Sequence, residues 1–200
     1  METVVMTMIS YLIGSLPTGY LVTRKILGTD IRDHGSGNVG ATNVARKLGF
    51  RMGALVALVD IIKGLIPVML ARTFLPAGQP AYLLYIIGIA AILGHDNSIF
   101  LKFDGGKGVA TTFGVMLGIS PPAFVVLGAV WLFIAFTLKI VSVASLLGTL
   151  TLPVSAYLLT GSMIEVLLAG IVFLSIVITH RGNIERLMKG EEKPISMGEN

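Results

Sequence analysis

The sequence predicts an all-α integral membrane protein with seven transmembrane helices, with the N-terminus outside and the C-terminus in the cytoplasm. Of the 200 residues, 54% are hydrophobic and only 13% are charged, and the mean hydropathy is +0.86. These values lie far outside the usual composition of a soluble domain. Since no internal repeat or second domain is evident, residues 1–200 are predicted to form a single polytopic membrane domain.

Seven apolar segments are long enough, or nearly long enough, to cross a hydrocarbon core, which takes roughly 20 residues. They are Val4–Val22, Gly53–Ala71, Ala81–Gly94, Gly108–Ile119, Ala123–Leu138, Val141–Thr160 and Ile164–Thr179. Some of the helices are expected to be short or broken. If the short third and fourth segments were re-entrant instead, five spans would remain.

The positive charges favour seven spans. Of the 15 lysines and arginines, all but Lys63 and Arg72 then lie on the side of the C-terminus, as the positive-inside rule requires of a cytoplasmic face. Re-entrant third and fourth segments would move Lys102 and Lys107 outward. The acidic N-terminus, with no small-residue cleavage pattern after its apolar run, predicts that the first segment remains as a span.

The composition also excludes several classes of chemistry. Because there is no cysteine, disulfides, thiolate zinc sites and covalent thiol catalysis are excluded. The net charge of +4 is explained by a cytoplasmic face, so no nucleic-acid partner is expected. The three histidines lack H-x-x-x-H spacing and close carboxylate partners, so neither a metal nor another cofactor is predicted.

The polar residues concentrate in cytoplasmic segments 23–52, 95–107 and 180–200. The first contains HGSGNVGATNVARKLG, whose glycines could let backbone N–H groups converge on an anion. A short helix is predicted over residues 41–48, ended by Gly49, with its start facing the glycines and attracting a phosphate. Thr42, Asn43 and Arg46 would share one face of this helix. The alternative is a flexible connector whose Arg-Lys pair only sets the topology.

The second cytoplasmic segment ends in GGKG, directly ahead of the fourth predicted span. It repeats the arrangement of glycines and a cation at a helix start, which favours an anion site. It is not a Walker A loop, because Gly108 follows Lys107 where that motif has a Ser or Thr for magnesium. The alternative is a turn with a positive-inside lysine.

Each of the three histidines lies at an inner boundary of the predicted membrane region. A histidine there is commonly an interfacial anchor, which is the interpretation favoured for His34 and His95. His180 is more suggestive, because Asn183 follows three residues later and would share its face if the seventh helix continues beyond the membrane.

Two pairs of polar residues lie within predicted spans. Asp60 and Lys63 are three residues apart in the second span and are predicted to pair, which lowers the cost of their burial. Ser142 and Ser145, at the inner end of the sixth span, either reach the polar site or bond the backbone of their own helix.

Three motifs together resemble one known family. The stretches SGNVGATNVAR, GHDNSIFLKFDGGKGVATTFG and HRGNIERLMKGEE are similar to the three cytoplasmic motifs of the bacterial acyl-phosphate:glycerol-3-phosphate acyltransferases of the PlsY type. GSLPTGYL and DIIKG extend the resemblance into the first two spans. The resemblance implies a multi-span enzyme of the bacterial inner membrane with a cytoplasmic active site. It would transfer a fatty acyl group from acyl phosphate to the sn-1 hydroxyl of glycerol 3-phosphate, forming lysophosphatidic acid in phospholipid synthesis without acyl-CoA.

The resemblance also implies roles for individual residues. It assigns catalytic or phosphate-holding roles to Ser36 and Arg46. It makes His180 and Asn183, in the catalytic set, important for activity, and it gives Glu192 a structural role. It assigns glycerol-phosphate binding to Gly105, Gly106, Lys107 and Gly108. Other polar residues of the loops and of the inner end of the sixth span are added to the predicted substrate-binding set. They are Gly37, Asn38, Thr42, Asn43 and Ser142.

The implied chemistry needs little from the protein beyond orientation and charge stabilisation, because an acyl phosphate is already an activated electrophile. Either His180 or the leaving phosphate would take the proton of the attacking hydroxyl. The expected partners are the two substrates, membrane lipid and the enzyme that forms the acyl phosphate. An anion transporter would also need glycine-rich interruptions and buried charges, but here the polar residues gather on one face.

Overall fold

The computed structural model describes residues 2–76 and 78–194, and the secondary structure within them is entirely helical. This part of the chain contains α1 (Glu2–Gly14), α2 (Thr18–Leu27), α3 (Ala41–Leu48), α4 (Phe50–Phe74), α5 (Tyr82–Asp96), α6 (Val109–Ile119), α7 (Pro121–Leu138), α8 (Val141–Thr160), α9 (Met163–Thr179) and α10 (Arg181–Met188). Short 3-10 helices occur at Ile31–Asp33 and Ile99–Leu101. The last six residues of the predicted tail, 195–200, lie outside the described residues.

The chain is an all-helical integral membrane protein with five to six candidate spans among the described residues. Five stretches are long and apolar enough to cross a membrane: Glu2–Leu27, Phe50–Phe74, Tyr82–Leu101, Pro121–Leu138 and Val141–Thr160. A sixth arises if α9 and α10 form one span, bent by 61°. The apolar helix α6 is shorter, with 11 residues. All seven predicted segments are therefore helical over most of their length.

The first predicted span is not one continuous helix, because α1 and α2 are separated by a break that ends at Pro17. Proline has no backbone N–H and its ring crowds the preceding turn, so the carbonyls before it lose their helical partners. Lys63 of α4 donates to the carbonyl of Leu16 at 2.7 Å. Its ammonium also pairs with Asp60 at 2.8 Å, which confirms the predicted pair, and Thr18 donates to the same carboxylate at 3.0 Å.

Helices α4 and α6 lie in backbone contact. A Cβ built on Gly114 of α6 would lie 1.8 Å from the carbonyl oxygen of Ile61, and one built on Gly64 of α4 would lie 2.2 Å from that of Thr111. Small residues permit such close approach between helices in a membrane, where packing rather than the hydrophobic effect drives association. This contact holds the start of α6, and with it Lys107, beside the centre of α4.

Helices α7, α8 and α9 follow one another in the second half of the chain and share one apolar core. Leu127, Leu152 and Val172, one from each helix, are buried in the same cluster. The last predicted span does not continue straight beyond the membrane. It ends at α9, and the chain turns by 61° into α10, so that His180 lies at the bend and Asn183 on the following helix.

Candidate active site

One large cavity, of about 1060 Å³, lies among α3, α4, α6, α7, α8 and α10. Its polar lining includes residues of both glycine-rich loops, the start of α8 and the end of the chain: Ser36, Asn38, Thr42, Asn43, Arg46, Lys107, Gly108, Ser142, His180, Asn183, Arg186, Glu191, Glu192 and Lys193. The rest of the wall is largely apolar and includes Ala57, Ile61, Phe113, Phe124, Val125 and Leu132. The three polar segments of the sequence thus meet in one site.

The first loop presents α3 to the cavity. This helix spans Ala41–Leu48 and ends at Gly49, as predicted. Thr42 and Arg46 line the cavity. Arg46 is exposed, and none of the ion pairs within residues 2–76 and 78–194 involves it. Its guanidinium is therefore free to form a bidentate contact with an anion such as phosphate.

Asn43 organises this loop from within, although it shares the predicted helix face. Its side chain is buried, and its amide donates to the carbonyls of His34 and Asn38, each at 2.9 Å. Its oxygen accepts the backbone N–H of Ser36 at 3.1 Å. Because these contacts use both ends of the amide, Asn43 fixes the position of Ser36 at the rim of the cavity.

Two of the three glycines of the predicted anion nest in the first loop, Gly37 and Gly40, already use their amides within the loop. The N–H of Gly37 donates to the carbonyl of His34 at 3.0 Å, and the N–H of Gly40 donates to the Asn38 side chain at 2.8 Å. Gly37 also lies outside the cavity lining. The start of α3, at Gly40 and Ala41, does face the cavity, so the helix terminus is the part of that prediction that the geometry retains.

The second loop departs from the prediction in the same way. The N–H groups of Gly105 and Gly106 donate to the carbonyls of Asp96 and His95, at 3.1 and 2.8 Å. Neither glycine lines the cavity. Their amides therefore already satisfy carbonyls at the end of α5, and the assignment of the two glycines to glycerol-phosphate binding stays a prediction.

Lys107 and Gly108 do reach the cavity. Gly108 has a φ of 70°, which turns the chain into α6 and favours a residue without Cβ. The first N–H groups of a helix have no partner within it, and those of Val109 and Ala110 lie at the cavity wall. This loop thus supplies one cation and one helix start.

A hydrogen-bonded network joins Lys107 to the end of the chain. Lys107 donates to the side-chain oxygen of Asn183, whose amide donates to Glu192. The same carboxylate accepts from Ser142 at 2.8 Å and from Arg186 at 2.7 Å. Glu192 thus ties α8 to α10, consistent with a structural role, and the network fixes Asn183 beside the lysine.

The network sets the charges of its members. Burial, and then the positive charge of Arg186, lower the pKa of Lys107 to about 8. Burial raises the pKa of Glu192, but hydrogen bonds from Asn183, Ser142 and Arg186 outweigh it, so this pKa lies below its usual value. The carboxylate therefore stays ionised at neutral pH, while the lysine loses its proton at mildly alkaline pH.

His180, just beyond α9, is buried at the cavity wall. Its Nδ1 lies 2.8 Å from the carbonyl oxygen of Ile176, a contact that requires Nδ1 to carry the hydrogen and leaves Nε2 as an acceptor. Burial, and then the charge of Lys107, lower the pKa of His180 to about 4. The imidazole is therefore neutral at physiological pH and a weak base.

Several cavity residues were not predicted as site residues. His95 was interpreted as an interfacial anchor and Asp60 as half of a structural pair, yet both also line the cavity. Trp131 lines it too and donates to Ser145 at 3.3 Å, and its ring meets that of Phe113 edge-on at 6.2 Å. Spacing along the chain gives no signal for these contacts, which arise only when the helices pack.

The arrangement suits an amphiphilic ligand with a phosphoryl group. Arg46, Lys107 and two helix starts provide positive potential at one part of the wall. Aromatic and aliphatic side chains from α4, α6 and α7 provide an apolar surface in the same cavity. Within residues 2–76 and 78–194, no three His, Asp or Glu side chains cluster in a way that could hold a metal ion.

The chain is similar over nearly its whole length to proteins of one family. The family profile described as glycerol-3-phosphate acyltransferase matches residues 4–190. The glycerol-3-phosphate acyltransferase of Desulfotalea psychrophila is 44% identical over 187 residues, which cover 93% of this chain and 94% of that protein. The enzyme of the same description from Desulforudis audaxviator is 43% identical over 190 residues, which cover 94% and 93%.

Two crystal structures share the fold. Both are of PlsY, described as an integral membrane glycerol 3-phosphate acyltransferase. The glycerol 3-phosphate form has a TM-score of 0.91 at 35% identity and covers 98% of this chain and 96% of that chain. The lysophosphatidic acid form has a TM-score of 0.87 at 34% identity and covers 98% and 97%.

The lowered pKa of Lys107 predicts how binding of a phosphate monoester depends on pH. The ammonium is fully protonated below about 8 and loses its charge as the pH rises through that value, while the ligand remains a dianion because its second pKa is about 6. We expect the affinity for glycerol 3-phosphate, measured by titration calorimetry, to be constant near neutrality and to fall by up to about tenfold per pH unit above 8.

The variant Lys107→Arg is the matched control for this prediction. Its guanidinium stays protonated throughout the range, so the alkaline fall in affinity should disappear even if binding is weaker overall. The same fall in the variant would assign the titration to another group.

Proposed function

The chain belongs to the PlsY family of glycerol-3-phosphate acyltransferases, and we propose that its acyl donor is a fatty acyl phosphate and that it acylates the sn-1 hydroxyl. The product is then 1-acyl-glycerol 3-phosphate, or lysophosphatidic acid, made for phospholipid synthesis without acyl-CoA. The observation that carries the proposal is the cavity of about 1060 Å³, in which two cationic loops meet an apolar wall. Such a site accommodates a phosphoryl group and an acyl chain of one donor.

The proposed reaction is a direct transfer. The glycerol hydroxyl oxygen attacks the acyl carbon, and a new ester C–O bond forms. The bond between the acyl carbon and the phosphate oxygen breaks, and inorganic phosphate leaves with the bonding electron pair. Because the donor is a mixed anhydride, the enzyme needs only to orient the two substrates and to stabilise the negative charge that develops.

We assign the positive charges to the two phosphoryl groups. Arg46 and Lys107, with Thr42 and the starts of α3 and α6, surround the space in which these groups would lie. Asn183 holds Lys107 through its side-chain oxygen, while Ser36, at the rim, has a hydroxyl that can bond the developing oxyanion or a phosphoryl oxygen. The arginine and the lysine are the residues on which turnover should depend most.

The proton of the attacking hydroxyl passes to the leaving phosphate in this proposal. The alternative acceptor, His180, is a weak base with a pKa of about 4. The phosphate oxygen becomes much more basic as its bond to the acyl carbon breaks, and by taking up the proton the phosphate leaves as hydrogen phosphate. The Nε2 atom of His180 still accepts a hydrogen bond and can orient the hydroxyl. Its role is then to position the nucleophile.

The finer topology belongs to the same proposal. We infer seven spans, with α6 as a short one and α9 as the last, which puts the N-terminus outside and the C-terminus in the cytoplasm of a bacterial cell. The cavity with its cationic loops then faces the cytoplasm, where both substrates and the enzyme that forms the acyl phosphate would be found. The basic residues of these loops agree with the positive-inside rule.

The choice of acyl donor is tested with purified protein in detergent. We expect radiolabelled glycerol 3-phosphate to be converted to lysophosphatidic acid when palmitoyl phosphate is supplied, and palmitoyl-CoA to give no product. Positional analysis should place the acyl group at sn-1. Turnover with the thioester alone would overturn the proposed donor while leaving family membership intact, and uptake into vesicles without product would favour a transporter.

Arg46 is expected to be essential for turnover. Replacing it with alanine removes a bidentate phosphate contact, so we expect a loss of about 100-fold or more in kcat/KM, the size typical of a lost transition-state contact. The control is Lys47→Ala, which removes the next positive charge on α3 but lies outside the cavity lining. Equal losses in the two variants, or near-normal turnover of Arg46→Ala in a folded protein, would contradict the assignment.

The proposed topology predicts which loops are accessible from outside the cell. The sequence contains no cysteine, so single cysteines can be introduced without background. We expect Gln79→Cys, between α4 and α5, to react with a membrane-impermeant maleimide in intact spheroplasts. Lys102→Cys should react only after the membrane is permeabilised. Labelling of both positions from outside would exclude a span between them.

A further inference from the structure

His95 lies between the second loop and a buried ion pair. Its side chain is 7% exposed. A Cβ built on Gly106 would lie 1.9 Å from His95 Nε2, and the next nearest atoms are Cε1 and Cδ2 of the same ring, at 2.7 and 2.8 Å. The imidazole therefore occupies the space that any side chain at position 106 would need.

The other edge of the ring faces a fixed charge. Nδ1 of His95 lies 3.8 Å from Asp60 Oδ1. That oxygen is held by the Lys63 ammonium at 2.8 Å and by the Thr18 hydroxyl at 3.0 Å. Asp60 thus cannot move without breaking a buried ion pair, so the histidine ring is clamped between α4 and the second loop.

Gly105, the glycine before Gly106, lies against backbone atoms instead of a side chain. A Cβ built on Gly105 would lie 2.2 Å from the carbonyl oxygen of His95 and 2.6 Å from that of Asp96. Both are backbone atoms, which no side-chain substitution removes. Two adjacent glycines are thus constrained by a side chain in one case and by backbone in the other.

We propose that His95 is a positioning residue, whose imidazole bears on Gly106 and so sets the backbone from which Lys107 reaches the substrate phosphate. On this account Gly106 is a glycine because it packs against the ring, and not because a phosphate approaches its amide. The chain of contacts runs from the Asp60–Lys63 pair through His95 to Gly106 and Lys107. The inference rests on the proposed function only in that Lys107 binds the phosphate of glycerol 3-phosphate.

The packing predicts a specific rescue between two substitutions. Gly106→Ala should raise the KM for glycerol 3-phosphate by about tenfold or more, because its methyl group displaces the ring and with it Lys107. In the His95→Ala background, Gly106→Ala should raise the KM for glycerol 3-phosphate by less than about twofold, because the imidazole that its methyl group would meet is absent. The substitution His95→Ala alone should raise this KM several-fold, with a smaller effect on kcat and none on the KM for acyl phosphate.

Gly105→Ala is the matched control. It should raise the KM for glycerol 3-phosphate by the same factor with and without the His95 imidazole, because its methyl group meets backbone carbonyls in both backgrounds. A rescue confined to Gly106 supports the proposal. Equal cost of Gly106→Ala in the two backgrounds, or equal rescue of both glycine variants, would overturn it.

Two further measurements keep this test decisive. Should Gly106→Ala alone fail to fold, recovery of folded, monodisperse protein in the double variant supports the proposal, and failure of the double variant overturns it. The same comparison of the two single variants with the double variant can be made with the dissociation constant of glycerol 3-phosphate, which calorimetry measures without turnover. If the proposed acyl donor is wrong, the turnover assay must be changed, but the binding measurements on the three variants still test the role of His95.

Discussion

Backbone N–H and C=O groups within a bilayer must find partners inside the protein, because no water is present to bond them. In this chain that constraint acts wherever a helix stops. At the break in the first span the freed carbonyl of Leu16 accepts from Lys63. At the end of α5 the carbonyls of His95 and Asp96 accept from the glycines of the second loop. Both sets of hydrogen bonds involve α4 or α5, so the irregular segments pack against these two helices.

This constraint explains why the glycine-rich loops differ from what their sequence pattern suggests. Glycines followed by a helix suggest free amides around an anion, but the amides of Gly37, Gly40, Gly105 and Gly106 all donate to oxygens of the protein itself. What remains for a ligand is the side chains of Arg46 and Lys107 and the starts of two helices. The glycines shape the loops, and under the proposed function the cations bind the phosphoryl groups.

The sequence was sufficient for the local features and insufficient for the distant ones. Helix α3 and the Asp60–Lys63 pair were predicted because propensity, a glycine stop and a three-residue spacing act within a few residues. The break at Pro17 and the bend at His180 depend on how neighbouring helices compensate lost hydrogen bonds. The packing of His95 against Gly106 and the approach of Glu192 to Ser142 depend on tertiary contacts, which periodicity does not specify. Of the residues that line the cavity, Arg46, Lys107 and Asn183 were singled out from loop pattern, spacing and the resemblance, whereas no local pattern pointed to the apolar wall.

The balance of charge in the cavity indicates what it can hold. Four cations, Arg46, Lys107, Arg186 and Lys193, line it together with three carboxylates, Asp60, Glu191 and Glu192. Asp60 pairs with Lys63 at 2.8 Å, and Glu192 pairs with Arg186 at 2.7 Å. Arg46 and Lys107 both line the cavity, and neither forms a direct ion pair with a carboxylate of the described residues. After burial, repulsion by Arg186 and, to a smaller extent, by Arg46 lowers the pKa of Lys107, while the charge of Glu192 acts in the opposite direction. A ligand that brings negative charge relieves this repulsion, and an apolar tail on that ligand is stabilised by burial against the adjoining apolar wall. A cavity built in this way favours an anionic amphiphile over either a free anion or a neutral lipid.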